Sequence, residues 1–311
     1  MVIDVHTHIG INAKRLFAGI YPSCQGVIDI LLKMDLAEVD YAITFPFEAT
    51  LFDNPNDYSN LNPTGLMDFP YAKENQYLLQ YTKQLGNGRL LPFINIDPKR
   101  EIDKQLAQIE IWSKQYQIFG IKVHTKSMQT RGDELIDSPF IPIIKKHNWP
   151  ILFHSYMQEI AHPSCILKFA LAYPDIRVGI AHLGGGIVEF YQELDKYKPS
   201  NVFIDTSPFI ASCKDLPYDS KNRGFNILDL PYNQPVETLK KLMDIYGGYL
   251  MFGSDEPFTT YVNPSEDAQT TISTVVDEMK IVNSLDPEYK KQLTETNPIR
   301  FLGINLKSLR N

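Results

Sequence analysis

Eight short apolar runs, each followed by a stretch of helical periodicity, restrict this chain to few architectures. The runs cover residues 1–8, 39–45, 89–96, 118–124, 150–154, 176–182, 202–206 and 249–255. Their β-branched and aromatic residues suit buried strands. Between them, apolar residues recur at helical spacing, as with Val27, Ile30, Leu31 and Met34, or Ile102, Leu106, Ile109 and Trp112. Helices are expected over 26–38, 71–85, 98–116, 138–147, 165–172, 187–196 and 236–246, with two more over 267–283 and 288–296. Strict alternation of this kind argues for a parallel sheet. Eight units in a chain of 311 residues match a single closed (β/α)8 TIM barrel over 1–311, with C-terminal helices. An open doubly wound sheet is the alternative, but no glycine-rich phosphate turn follows the first strand. Two long stretches, 46–70 and 207–234, are expected to be rim loops.

Composition narrows the function classes. A net charge of −7 argues against a nucleic-acid surface. No apolar run approaches the roughly 18 residues of a membrane helix, and the chain opens on a strand, not on a secretory leader. Cys24, Cys165 and Cys213 are scattered, odd in number and without a C-x-x-C pair, which fits a reduced compartment. The expectation is a cytoplasmic protein acting on a small molecule, with no nucleic-acid or membrane partner. Homo-oligomerisation is left open.

A barrel places working groups at the carboxyl ends of its strands. Of 7 histidines, five fall there: His6, His8, His124, His154 and His182. Lys122 and Asp255 join them, whereas His147 and His162 are expected on the surface. His6 and His8 alternate on one strand, so both imidazoles share a face and supply half of a zinc-type site. Two satisfied histidines at a strand end would give the same pattern. Asp4 shares that parity and is expected one layer deeper, as buried support and not as a ligand. Asp255 could instead cap the next helix. Lys122 could be an axial buried cation paired with a carboxylate, and His124 either a group behind the metal site or facing substrate, or a plain rim histidine.

Six pieces in order carry a resemblance. They are Asp4-Val5-His6-Thr7-His8, Gly120-Ile121-Lys122-Val123-His124, Leu152-Phe153-His154, Ala181-His182-Leu183-Gly184-Gly185, Gly253-Ser254-Asp255-Glu256-Pro257 and the tail Asn297-Pro298-Ile299-Arg300-Phe301-Leu302-Gly303. Together they resemble the amidohydrolase superfamily, and more narrowly the amidohydrolase-related branch that includes aminocarboxymuconate-semialdehyde decarboxylase. The resemblance implies a metal site made of His6, His8, His154 and Asp255, with His182 by the open position as ligand or acid/base group. Lys122 falls where binuclear members carry a carboxylated bridging lysine, which would add a second metal.

Three imidazoles and one carboxylate suit one divalent ion, with zinc first. The implied reaction is hydrolysis of a small amide, ester or lactone by a metal-activated water. Asp255 would take the proton and His182 would polarise the substrate carbonyl. Two alternatives stand beside it: non-oxidative decarboxylation of a small carboxylic acid, and a non-catalytic ligand-binding barrel with a structural metal. In the 207–234 stretch, Arg223 is the expected substrate-binding residue, because arginine grips carboxylate in a bidentate fork.

Overall fold

Each of the eight apolar runs contributes a strand, and the strands follow one another round the sheet in chain order. The computed structural model describes residues 1–19, 23–53, 67–258 and 273–305. The strands are β1 (Ile3–Ile11), β2 (Cys24–Gln25), β3 (Tyr41–Pro46), β4 (Leu90–Asn95), β5 (Gly120–Val123), β6 (Ile151–Phe153), β7 (Val178–Ile180), β8 (Val202–Asp205) and β9 (Leu250–Met251). All neighbours from β1 and β3 through β9 pair in parallel. The ring closes where the chain beyond β9 meets β1. Val5 donates its amide to Phe252 O at 2.9 Å, Asp255 to His6 O at 2.8 Å, and His8 to Glu256 O at 2.7 Å. This is the expected (β/α)8 barrel. β2 was not expected: it is a two-residue strand, antiparallel to the far end of β1.

Alternation along the strands sorts the buried side chains into two layers. Inside the barrel, Ile3, Val5, Ile43, Phe45, Phe93, Leu152 and Phe203 pack together, and Phe301 from the terminal helix Asn297–Leu302 plugs this layer. Gly120 and Gly179 leave room there, because a Cβ on either would collide with Phe93 or Leu152. The second layer lies between strands and helices, with Ile9, Ile94, Ile121, Phe153, Ile180 and Ile204 among its members.

One irregularity matters for the site. Asp4 pairs with Ala42 and Thr7 with Thr44, so β1 advances three residues while β3 advances two. The extra residue is a β-bulge, which presents two residues opposite one and re-aims the side chains that follow. Ile3 and Val5 therefore face the interior layer, and beyond the bulge His6 and His8 do so too. Asp4 does not share their face, which corrects the parity argument. Its carboxylate is buried behind the strand, where Oδ1 accepts the amides of His6 and Ser254, each at 3.0 Å.

The 207–234 stretch is also not one loop. It contains the helix Phe209–Arg223. Phe209, Cys213, Leu216 and Ser220 form its buried face at helical spacing, and this burial outweighs the interior Pro217. Its free N-terminal amide at Ile210 is met by the Glu278 carboxylate at 3.1 Å. Of the 46–70 stretch, residues 54–66 lie outside the described residues.

Candidate metal centre and cleft

Five imidazoles form a continuous arc across the carboxyl ends of the strands. In the order His8, His6, His182, His154, His124, successive ring centroids are 5.4, 4.9, 4.9 and 4.1 Å apart. The β1 bulge aims His6 and His8, and strand ends β5 and β6 deliver His124 and His154. His182 stands on a left-handed turn: φ is 58° at His182, 55° at Leu183 and between 58° and 65° at Gly184, Gly185 and Gly186. Glycine adopts this conformation freely, but each L-residue in it costs about 1–2 kcal/mol. Asp255, at the end of the strand path that closes the barrel, is also left-handed, with φ of 62°. Strain of this kind gathers where a side chain must be held in one direction.

Among the described residues, the arc and the carboxylates form two groups able to hold a cation: His6, His8 and Asp255, and His6, His182 and Asp205. In the first, Asp255 Oδ1 lies 3.3 Å from His6 Nε2 and 3.2 Å from His8 Nε2. Hydrogen-bond partners assign the tautomers. His6 Nδ1 faces the Asp205 carboxylate at 2.8 Å and His8 Nδ1 faces the Pro46 carbonyl at 3.4 Å. Both partners can only accept, so each proton sits on Nδ1 and each Nε2 presents a lone pair. Two ring lone pairs and the Asp255 carboxyl thus converge, an arrangement that a divalent cation resolves by taking the place of a proton. Burial opposes charge on all three groups, pushing His8 down to about 3, holding His6 well below its ordinary value and pushing Asp255 up to about 6, so the rings stay neutral and a bound cation would keep the carboxylate ionised. The donor set fits a metal.

His154 is not within the first group. Its Nδ1 lies 3.1 Å from His182 Nε2, and its ring stacks on His124. Burial also holds His124 and His154 well below the ordinary imidazole range. His182 donates from Nδ1 to the Ser207 carbonyl at 2.7 Å. Its Nε2 is therefore an acceptor in the neutral ring, so His182 has no N–H left to polarise a carbonyl as the sequence suggested.

Lys122 lies inside the barrel, with Nζ 3.4 Å from His6 Nε2 and 4.2 Å above the Phe45 ring. Among the described residues no carboxylate comes within ion-pair distance of it, contrary to the expected pairing. Burial pushes it down to about 8, against the pull of Asp205 and Asp255. Phe45 forms the apolar floor beneath His6, His8 and Lys122.

A cleft of about 290 Å³ opens beside the arc. His154, His182 and Asp255 line it, with Arg223, Lys126 and Asp215 among its other residues. The structure thus brings Arg223 to the same cleft as the arc. Of the aromatics in the 46–70 stretch, Phe47 stacks on His8, whereas Phe52 lies under Arg100 and Phe69 against Trp112. Tyr58 lies outside the described residues. Sequence reasoning missed Asp205, which is fully buried at the end of β8 and bonded to both His6 and the His182 turn. Its one signal was a carboxylate at the carboxyl end of the seventh apolar run.

A sequence model of the amidohydrolase family matches residues 3–304. No curated protein matches the chain in sequence. Solved structures share the fold. An inferred 2-pyrone-4,6-dicarboxylic acid hydrolase from Pseudomonas putida superposes with a TM-score of 0.60 at 15% identity, covering 98% of each chain. A 5-carboxyvanillate decarboxylase from Sphingomonas paucimobilis gives 0.57 at 12%, covering 98% of this chain and 99% of its own. The 5-carboxyvanillate decarboxylase from Novosphingobium aromaticivorans, complexed with manganese and a nitrobenzoic acid, gives 0.60 at 12%, covering 98% and 96%. Among the described residues no helix is long and apolar enough to cross a membrane.

Proposed function

This chain belongs to the amidohydrolase family, and from that premise we propose that it is a cytoplasmic metal-dependent hydrolase acting on a small amide, ester or lactone in the cleft beside His182 and Asp255. The observation that carries the reading is the convergence of His6 Nε2 and His8 Nε2 on Asp255 Oδ1, at 3.3 and 3.2 Å. His6, His8 and Asp255 would hold one divalent ion, zinc first, with manganese the ion held by one solved relative. His154 completes the set only if its ring turns from His182, and His124 supports it by stacking. When bound, such an ion supplies Lewis acidity and makes water acidic enough to lose a proton near neutral pH.

The chain's own residues then divide the work. Asp255 would accept the proton of the attacking water with the carboxylate oxygen that does not face the ion. His182, held by Ser207 with Nε2 toward His154, would take that proton from Asp255 at Nε2 and deliver it to the leaving group. Arg223 and Lys126 give the cleft two cations and favour an anionic substrate. That same pair favours the second reading, non-oxidative decarboxylation of a small carboxylic acid, the activity named for two of the solved relatives. In that case His182 would take up a proton from water at Nε2 and deliver it to the carbon that loses carbon dioxide. A structural metal in a closed site fits less well, because the cleft opens directly onto Asp255.

The test is metal analysis of the reconstituted protein, followed by a panel of carboxylated lactones and aromatic acids. Uptake of ¹⁸O from water marks hydrolysis, and release of carbon dioxide marks the alternative. His182→Asn should keep the metal and lose about 10²–10⁴-fold in turnover. A reconstituted protein that binds no divalent cation would refute the reading.

A further inference from the structure

Asp205 makes contacts that neither metal ligation nor proton transfer requires. It is fully buried at the end of β8, and its two oxygens face different elements. Oδ2 accepts from His6 Nδ1 at 2.8 Å. Oδ1 accepts the His182 amide at 3.1 Å, the Ser207 amide at 3.0 Å and the Ser207 hydroxyl at 2.6 Å. Ser207 in turn offers its carbonyl to His182 Nδ1 at 2.7 Å. One carboxylate therefore reaches the rings of both His6 and His182, the first directly and the second through Ser207. It also ties down the first residue of the left-handed turn, where a non-glycine backbone would relax if released.

We propose that Asp205 is a positioning residue that locks His6 and His182 together in the Nδ1–H tautomer, so that His6 Nε2 keeps its lone pair toward Asp255 and His182 Nε2 keeps its own toward His154. The inference rests on the reading of His6 as a metal ligand, but its own observable, the ring tautomer, exists without metal. Partners of this kind orient ligating histidines and raise their basicity. What sets this one apart is that it also holds the acid/base histidine, so one group keeps two roles in register.

Asparagine at 205 separates the two functions. Three donors crowd Oδ1, so an amide oxygen must take that side and its NH₂ must face His6 Nδ1. A donor there forces His6 Nδ1 to accept and moves the ring proton to Nε2, the nitrogen needed by the cation. The geometry of the His182 turn is left intact.

The experiment is long-range ¹H–¹⁵N NMR of the histidine rings in the metal-free full chain, with metal affinity measured by chelator competition. In the parent, both His6 and His182 are expected as Nδ1–H. In Asp205→Asn, His6 should switch to Nε2–H while His182 stays Nδ1–H, and zinc affinity should fall by about 10–100-fold. Ser207→Ala, which removes the hydroxyl's contacts with Asp205 Oδ1 and His182 Nδ1 but keeps both backbone bonds, should leave the His6 tautomer unchanged. An Nε2–H tautomer of either ring in the parent overturns the proposal, whether or not the variants fold. So does an unswitched His6 in Asp205→Asn with zinc affinity within threefold of the parent. A parent that takes up no metal would sink the functional reading but leave the tautomer result to judge Asp205.

Discussion

Asp4 and His6 are joined across the β1 bulge: the His6 amide donates to Asp4 Oδ1 at 3.0 Å, and the same oxygen takes the Ser254 amide at 3.0 Å. Asp4 touches no candidate ligand atom, yet it pins the extra residue that turns His6 inward. It also ties β1 to the strand end carrying Asp255, so the two halves of the candidate metal group share one anchor.

Asp4→Ala should therefore weaken metal binding from behind the strand. Two buried amides would lose their acceptor, each at about 1–3 kcal/mol. Burial pushes the Asp4 carboxyl up to about 7, so asparagine is a fair mimic of its protonated form and keeps an acceptor oxygen. The expected outcome is a large loss of urea stability and of bound metal in Asp4→Ala, with most of both retained in Asp4→Asn. Equal losses in the two variants would mean that the carboxylate's charge matters more than the bulge.

For Lys122, the structure replaces a buried ion pair with an ammonium over an aromatic face beside His6. Its folded value of about 8 lies below the ordinary 10.5, so between these values the unfolded chain holds more protons and stability rises with pH. Below about pH 8 the buried charge costs stability. Lys122→Met, which keeps the volume, should leave the metal-free protein as stable at pH 7 or more so. Metal content should remain at one per chain. Two metals in the parent, falling to one in the variant, would instead identify a carboxylated bridging lysine.

Much of this was legible locally. The barrel follows from alternating periods of 2 and 3.6 residues, which each segment carries by itself. The five histidines were found because they end apolar runs. What escaped depends on partners distant in sequence. One extra residue in Asp4-Val5-His6 has no local mark, and only the pairing of β1 with β3 reveals the bulge. Asp205 precedes Thr206, Ser207 and Pro208, a string that reads as an ordinary turn until His6 is found 2.8 Å away. Polar residues and Pro217 hid the helix Phe209–Arg223, which Glu278 caps from another element 68 positions away. The tautomer of His182, and with it the direction of proton flow, rests on a carbonyl 25 positions away.

Glu278 gives a pH-dependent prediction remote from the metal. Burial pushes its carboxyl up to about 8 from an ordinary 4.5, despite bonds from the Ile210 amide and Ser273 hydroxyl. Between those values the folded state holds the proton that the unfolded chain releases, so this group makes stability fall as pH rises from about 4.5 to about 8. The slope is at most about 1.4 kcal/mol per pH unit. Glu278→Gln keeps an acceptor for Ile210 and cannot ionise. Its urea midpoint should match the parent near pH 4.5 and exceed it increasingly toward pH 8. A constant offset across that range would show that Glu278 does not titrate there.

Arg223 tests what the cleft selects. It ends the helix Phe209–Arg223 and lines the cleft together with His182 and Asp255. Asp219, one turn earlier, stands 3.8 Å from its Nε and accepts the Tyr156 hydroxyl at 2.8 Å, so the guanidinium is steered but not consumed by a close pair. With 41% of its side chain exposed, it keeps donors available for a bidentate grip on a carboxylate. A hydrogen bond to a charged group is worth about 1.5–3 kcal/mol, or roughly 10–150-fold in binding. Once a carboxylated substrate is identified, Arg223→Ala should raise KM by about that factor with kcat little changed, because the contact is made equally in ground and transition states. Arg223→Lys should recover part of the loss, since a single ammonium lacks the fork. The neutral methyl ester of the same substrate supplies the control: it should bind parent and variant alike. If the acid and its ester suffer equally in Arg223→Ala, the arginine shapes the cleft wall and does not read the substrate's charge.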